Sequence, residues 1–346
     1  MSEKSSIDQR VLWVDYAKGI GILLVVLGHT IRGLVDSSIL ESSTAVQAVY
    51  RWIYAFHMPL FFFISGLLIY RSASKPLKDF LVDKLKVIAY PYLVWSVLET
   101  IFQAVGSRYT NNSVNLSDMW RIVYSPVMQF WFLYVLFVIV LVYAIARKLG
   151  VSNIVFAMIS ILFYSVQGYV GLGSWGVLYQ VQTYAIYLGL GALVGNSKAC
   201  SHLQRQNIPT LIGVTLGGLG IVALAVGLNL TEEKWLKLAI ALCGICACIA
   251  SAMLLERFEL AGFVKQWGSL SLEIYVGHTI ASSTLRILLQ KLLHITDAFA
   301  HIILETAVGI YAPMALALIC QRLGMTYIFT LRSHRSLEPK PVGETA

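Results

Sequence analysis

Long apolar segments alternate with short polar ones along most of the chain, and their lengths predict helices that cross a membrane. The first segment, residues 11–35, is about 37 Å long as a helix at ~1.5 Å per residue, which is enough to span a bilayer. Nine more segments follow at about 45–70, 87–105, 128–146, 154–169, 178–194, 209–228, 236–255, 270–293 and 300–320. The predicted fold is an all-α polytopic integral membrane protein with about ten transmembrane helices.

The segments show no internal repeat and no second domain, so residues 1–331 are predicted to form a single transmembrane domain. No small-residue cleavage site follows the first apolar segment, which is therefore predicted to be a retained helix and not a signal peptide. Residues 332–346 predict a short disordered tail. Between the apolar segments and at their ends, seventeen lysine and arginine residues fall on the side of the two termini and six on the other. Both termini, and with them the tail, are therefore predicted to be cytoplasmic.

The composition indicates the same class of protein. Of the 346 residues, 58% are hydrophobic and 13% are charged, and the mean hydropathy is +0.72, whereas soluble proteins carry about 25% charged residues. The net charge of +8 comes from basic residues at segment ends, so the predicted partner is the lipid bilayer and not a nucleic acid. Cys243, Cys246 and Cys248 lack histidine or carboxylate neighbours, so they are predicted to be small buried residues and no metal is predicted.

The first apolar segment carries three ionisable residues on one face. Asp15, Lys18 and His29 fall within roughly 60° of one another at about 100° per residue, and ionisable groups in a membrane normally face the protein interior or a water-filled cavity. Asp15 lies one turn from Lys18 and can pair with it. Lys18 and His29 are roughly 16 Å apart along the axis, so they can hold two parts of one long ligand. The alternatives are a lysine that extends to the membrane surface and a histidine that only packs.

Two further segments carry polar stripes. In the second segment Tyr54 and His57 share a helical face, and Pro59 leaves a backbone carbonyl unpaired close to His57. His57 is therefore either part of a site or a histidine bonded to that carbonyl. In the ninth segment Tyr275 and His278 share a polar face, which predicts either the wall of a cavity or a seam of hydrogen bonds between helices.

Five motifs, taken in order, resemble the membrane-bound acyltransferase-3 family. Lys18-x10-His29 within KGIGILLVVLGH resembles the Arg/Lys-x10-His signature of that family, and four more motifs follow in the family order: FHMPLFFFISG, YPYLVWS, FWFLYVLF and GSLSLEIYVGH. The resemblance covers nearly the whole chain. It is closest to the fucose 4-O-acetyltransferase-like branch, which resembles the enzymes that O-acetylate bacterial exopolysaccharides and Nod-type lipo-oligosaccharides.

This resemblance implies an acyl-CoA donor, usually acetyl-CoA, and a carbohydrate hydroxyl as the acceptor, in the cytoplasmic (inner) membrane of a bacterium. By the family pattern His29 is the catalytic residue and Lys18 a donor-binding residue. Many members carry an Arg-x-x-Arg pair before the proline of the third segment, where this chain has DKLKVIAYPY with Lys84 and Lys86. Lys18, Lys84 and Lys86 are therefore the predicted contacts of the CoA phosphates, and the last two alter the family pattern.

The chemistry expected from the resemblance makes His29 the general base for a sugar hydroxyl, which then attacks the thioester. His57 and Asp15 are the other candidate catalytic residues. The oxyanion needs a hydrogen-bond donor. Three side chains are candidates for that donor or for contacts with the acceptor: Tyr54, Tyr275 and His278.

Several alternatives stay open at this point. An acyl-enzyme on a histidine or on Ser65 is one, although the pair Ser65-Gly66 is also typical of close helix packing. A secondary transporter of a small polar solute or glycan precursor fits the polytopic form and the proline-broken helix, but no two halves match. A non-catalytic sensor or assembly factor fits the hydropathy and leaves the three histidines unexplained. Four more polar groups have no decisive local pattern: Arg51, Glu99, Trp131 and Glu305.

Overall fold

The computed structural model describes residues 12–72, 75–106, 116–169, 175–195 and 205–331, and every regular element in these ranges is helical. The α-helices of these ranges are α1 (Leu12–Asp36), α2 (Thr44–Ser72), α3 (Leu77–Lys84), α4 (Tyr90–Gly106), α5 (Trp131–Lys148), α6 (Asn153–Ser165), α7 (Gly176–Gly195), α8 (Ile208–Gly227), α9 (Lys234–Arg257), α10 (Gly262–Ser269), α11 (Ser271–Ile287) and α12 (Ala298–Arg322). A π-helical segment, Leu85–Ala89, joins α3 to α4, and another, Leu288–Leu292, extends α11.

Eight helical segments in the described ranges are long and apolar enough to cross a membrane, and this confirms the polytopic all-α class. They are α1, α2, α3 continued into α4, α5 with the turns before it, α7, α8, α9 and α12. Two predicted segments form shorter helices. The fifth segment corresponds to α6, which has 13 residues, and the ninth to α11, which has 17 residues before its π-helical extension. The predicted tail, residues 332–346, and both termini lie outside the described residues.

Helix α1 lies at the centre of the bundle. It packs against α2, α9, α10, α11 and α12, and side chains such as Ile22, Val26 and Leu34 have no exposed surface. Since α1 has neighbours on most sides, its ionisable residues face protein or cavities inside the bundle, as the cost of charge in lipid requires.

Helices α2 and α7 approach each other so closely that only glycine fits at their contact. A Cβ atom at Gly66 would overlap the carbonyl oxygen of Leu188, and one at Gly191 would overlap the carbonyl oxygen of Phe63. The hydroxyl of Ser65 donates to the carbonyl of Phe61, 2.7 Å away in the same helix. The prediction that Ser65-Gly66 permits close helix packing is confirmed.

The close contact at Gly66 makes a measurable prediction for stability. We expect Gly66→Ala to lower the free energy of unfolding by about 1–3 kcal/mol, because the added methyl group forces α2 away from α7. Gly220→Ala is the matched control, since a Cβ atom there meets nothing within 4 Å and alanine favours the helix. Thermal unfolding of the two variants in detergent tests this, and equal midpoints would contradict it.

Candidate active site

A polar cavity, here named the cleft, opens beside the C-terminal half of α1. Its volume is about 750 Å³. Its walls come mainly from α1, α4 and α11, and they include His29, Arg32, Gly33, Glu99, His278, Thr279, Ser282 and Arg286. Ionisable side chains within a membrane protein are tolerated beside such a cavity, where water or a polar ligand solvates them.

His29 and His278 lie side by side on the wall of the cleft, with ring centroids 5.1 Å apart. Nδ1 of His278 lies 2.7 Å from the carbonyl oxygen of Tyr275, so in the neutral ring this nitrogen donates the hydrogen. Nε2 is then the acceptor nitrogen, and it is buried without a hydrogen-bond partner among the described residues. The ring of His29 makes no hydrogen bond within the same ranges. Two adjacent imidazoles therefore have ring nitrogens without a hydrogen-bond partner among the described residues.

His57 lies on α2 and is only 1% exposed. Its Nδ1 lies 2.8 Å from the carbonyl oxygen of Ile53, one turn earlier in the same helix. This agrees with the alternative in which His57 bonds a main-chain carbonyl, but the carbonyl that Pro59 leaves unpaired is that of Ala55. The residues that line the cleft do not include His57.

Tyr54 joins α2 to the turn of α1 that carries His29. A Cβ atom at Gly28 would lie 3.0 Å from the ring of Tyr54, and that ring makes a T-shaped contact with His57 with centroids 4.6 Å apart. Tyr54 also stacks on Tyr50 at 4.1 Å. It lines a separate pocket of about 160 Å³ and is absent from the lining of the cleft.

Tyr275 belongs to a hydrogen-bond network that closes one wall of the cleft. Its hydroxyl donates to the main-chain carbonyl of Gln129, so its single hydrogen is already used. The side chain of Gln129 donates to Thr279 at 2.8 Å, and Thr279 donates to Glu99 at 2.9 Å. The polar face of α11 is therefore both a hydrogen-bond seam and a cavity wall, which combines the two predicted alternatives.

A second network joins α11 to α12. Arg286 donates to one carboxylate oxygen of Glu305 from Nη2 at 2.8 Å and from Nε at 3.1 Å, and Nδ1 of His301 lies 2.7 Å from the other oxygen. Glu305 and His301 have no exposed surface. Arg286 lines the cleft, and a Cβ atom at Gly33 would overlap its guanidinium group. A paired cation therefore lies against the turn of α1 that follows His29.

Sequence reasoning gave no role to either carboxylate of these networks. A carboxylate inside an apolar segment itself indicates a polar network or a cavity, because its burial requires a partner or a cavity. The spacing of His301 and Glu305, four residues apart on one helical face, is a second signal. Neither signal identifies the partner helix, so Thr279 and Arg286 could not be assigned as the partners of Glu99 and Glu305.

A smaller pocket of about 190 Å³ lies near the other end of α1, and its polar lining residues are Lys18, Ser65 and Lys84. The structure thus brings together two of the three lysines predicted to bind the donor, one from α1 and one from α3. Lys86 is exposed and is not among the lining residues.

Asp15 lies at the Lys18 end of α1 and is 4% exposed. A Cβ atom at Gly268 would overlap the carbonyl oxygen of Asp15, so this turn of α1 packs tightly against α10. Asp15 is roughly 21 Å from His29 along the helix axis. The structure therefore places it with Lys18 and not in the cleft.

The acyltransferase domain model of the acyltransferase-3 family matches residues 11–321. The chain belongs to the acyltransferase-3 family. It is also similar to two curated relatives, each called nodulation protein NolL. The protein from Sinorhizobium fredii is 30% identical over 132 residues, which are 37% of this chain and 34% of that protein.

The second relative, from Mesorhizobium japonicum, is 27% identical over 161 residues, which are 45% of this acyltransferase and 42% of that protein. The matches thus span well under half the length of either relative. No solved structure matches the chain. The family and the apolar helices together show a multi-pass membrane acyltransferase.

In this acyltransferase the two residues of the Lys-x10-His motif lie at different sites. The histidine lines the cleft and the lysine lines the pocket with Lys84. Within the described residues, no group of three or more histidine, cysteine, aspartate or glutamate side chains is placed to hold a metal ion. The prediction that Cys243, Cys246 and Cys248 are buried is confirmed for Cys248 alone, because Cys243 is half-buried and Cys246 is exposed on α9.

Proposed function

We propose that the protein is a membrane-bound O-acyltransferase that moves an acetyl or other short acyl group from acyl-CoA to a hydroxyl of a cell-surface or secreted carbohydrate. It works in the cytoplasmic membrane of a bacterium, with both termini in the cytoplasm. One observation carries the proposal: His29, with unbonded ring nitrogens, lines a polar cleft beside the unpartnered Nε2 of His278. The family membership supports the acyl-transfer chemistry.

The pocket at the other end of α1 is the proposed site for the phosphates of acetyl-CoA. Lys18 and Lys84 both line it, and the exposed Lys86 adds a cation nearby in sequence. The extended pantetheine arm can bridge the roughly 16 Å of helix between Lys18 and His29. We assign Asp15 to this end, where it supports the lysine and takes no part in proton transfer.

The cleft is the proposed site of the acceptor sugar. Its wall presents serine and threonine hydroxyls, the carboxylate of Glu99 and the paired guanidinium of Arg286, together with the two imidazoles. Sugar hydroxyls both donate and accept hydrogen bonds, so a wall with donors and acceptors suits them.

In the proposed reaction His29 takes the proton from the acceptor hydroxyl as its oxygen attacks the acyl carbon of the thioester. The tetrahedral intermediate then collapses, the carbon–sulfur bond breaks, and the CoA thiolate takes the proton from His29. The products are the acyl ester and CoA thiol. Nε2 of His278 can accept a hydrogen bond from the acceptor hydroxyl or from protonated His29. This hydrogen bond holds the hydroxyl or the His29 ring in place. His57 fixes the packing around His29 and does not contact the substrate.

Transfer of label from acetyl-CoA tests the proposed function. Membranes from a host that lacks the gene, with and without the restored protein, are incubated with radiolabelled acetyl-CoA and the host's own glycans after mild alkaline de-O-acetylation. We expect alkali-labile label on the glycan only when the protein is present. Absence of label, together with uptake of a polar solute by vesicles that contain the purified protein, would favour a transporter instead.

A further inference from the structure

A further pocket, with polar and charged residues in its lining, lies between α2, α9 and the turn that precedes α9. Its volume is about 160 Å³, and its polar and aromatic lining residues are Tyr50, Arg51, Tyr54, Thr231, Glu232 and Lys237. We name it the outer pocket. None of its residues belongs to the family motif that carries His29, and the proposed reaction does not use them.

Two buried polar groups in the outer pocket lack a partner in the described part of the chain. Thr231 is 6% exposed, and its hydroxyl makes no hydrogen bond. Nε of Arg51 is likewise buried and unpaired, while Nη1 of the same side chain donates to Asn229 at 2.5 Å. Buried polar groups are nearly always satisfied, and an exception calls for a ligand or a water molecule. The outer pocket therefore has unused hydrogen-bonding capacity.

The chemistry of the lining fits one sugar unit. The guanidinium of Arg51 and the ammonium of Lys237 donate hydrogen bonds, Glu232 accepts them, and the hydroxyl of Thr231 does both. The stacked rings of Tyr50 and Tyr54 add an aromatic surface. At ~30 Å³ for each water molecule, the space equals about five waters. A single sugar ring therefore lies partly inside the outer pocket and partly in its open mouth, and a nucleotide is too large.

The outer pocket and the cleft each share lining residues with one intermediate cavity. Tyr50 and Arg51 also line a neighbouring cavity of about 220 Å³, which Arg32 lines as well. Arg32 in turn lines the cleft next to His29. Three cavities thus follow one another from His29 to Thr231, each sharing a lining residue with the next.

From this arrangement we infer that the outer pocket is a subsite for a sugar unit of the acceptor that lies beyond the unit being acylated, so that the enzyme recognises an oligosaccharide chain. The inference rests on the proposed function, because it requires a carbohydrate acceptor in the cleft. It makes Arg51 and Thr231 determinants of acceptor length.

Acceptors of graded length test the subsite. Oligosaccharides of one to six units, prepared from the host's de-O-acetylated glycan, are acylated by membranes that contain the wild type, Arg51→Met or Thr231→Val. We expect Arg51→Met to raise KM for the longest acceptor about tenfold, since a hydrogen bond to a charged group is lost. KM for the single sugar should stay at the wild-type value, because that acceptor does not reach the outer pocket.

Thr231→Val replaces the hydroxyl by a methyl group of similar size, so it tests the subsite even where Arg51→Met fails to fold. We expect this variant to raise KM for the longest acceptor by a smaller factor. Arg121→Met is the control, as it removes an exposed cation outside the three cavities. Equal changes of KM at every length, or no change at any length in either variant, would overturn the subsite while leaving the proposed function intact. A wild type inactive on all lengths would instead overturn the carbohydrate acceptor itself.

Discussion

His29→Ala should lower acyl transfer to the glycan by at least about a hundredfold, the lower bound for loss of a general base. The reason is geometric. His29 lines the cleft with ring nitrogens that make no hydrogen bond in the described residues. His57 does not line the cleft, and the unpaired nitrogen of His278, Nε2, is buried. The measurement is the rate of label transfer from acetyl-CoA in membranes with equal amounts of protein.

His294→Asn provides the matched control for His29→Ala. His294 is exposed and lies outside the cleft lining, and its φ of 54° is one that asparagine adopts readily. We expect this variant to keep wild-type activity. If His29→Ala were equally active, with unchanged amounts in the membrane, the assignment of the general base would fail.

Removal of Glu305 should cause the largest loss of stability among single substitutions at the cleft. Glu305→Ala leaves the guanidinium of Arg286 and Nδ1 of His301 without their shared acceptor. Breaking a buried ion pair on one side costs about 3–5 kcal/mol, because a charge stays buried and unpaired. Thermal unfolding in detergent, followed by tryptophan fluorescence, should show a large drop in the midpoint.

Two comparisons isolate the unpaired charge as the cause. The double variant Arg286→Met with Glu305→Leu removes both charges and should recover most of the lost stability. Glu41→Ala, the same change at an exposed loop position, should have no measurable effect. If the double variant were no more stable than Glu305→Ala, loss of packing and not an unpaired charge would explain the result.

The sequence was sufficient for the class of fold and for the helices that hydropathy defines. The sequence was less informative about backbone geometry that the pattern of side chains does not determine. The π-helical segment Leu85–Ala89 runs through an ordinary helical pattern, because a one-residue shift of main-chain hydrogen bonds leaves no mark on composition. The polar face of α11 was visible in the sequence. The short length of α11 was not, since the leucines of the extension Leu288–Leu292 continue the apolar segment.

The candidate site likewise has one part that the sequence predicts and one part that it does not. Periodicity within one helix identified His29, Tyr275 and His278, because residues on one face recur at fixed spacing. Contacts between helices could not be obtained in this way. The hydrogen bond between Gln129 and Thr279 joins residues 150 positions apart, and no local pattern indicates that their helices meet.

The central position of α1 has a consequence for how the protein is made. Helix α1 is synthesised early, but four of its five neighbours, α9 to α12, come from the last third of the chain. Until those helices enter the bilayer, the polar side chains of α1 lack the surroundings that make them tolerable there. The wall of the cleft, with His29 from early in the chain and His278 from late in it, is assembled only when translation is nearly complete. A polypeptide cut short before α11 therefore contains the proposed general base and an incomplete cleft.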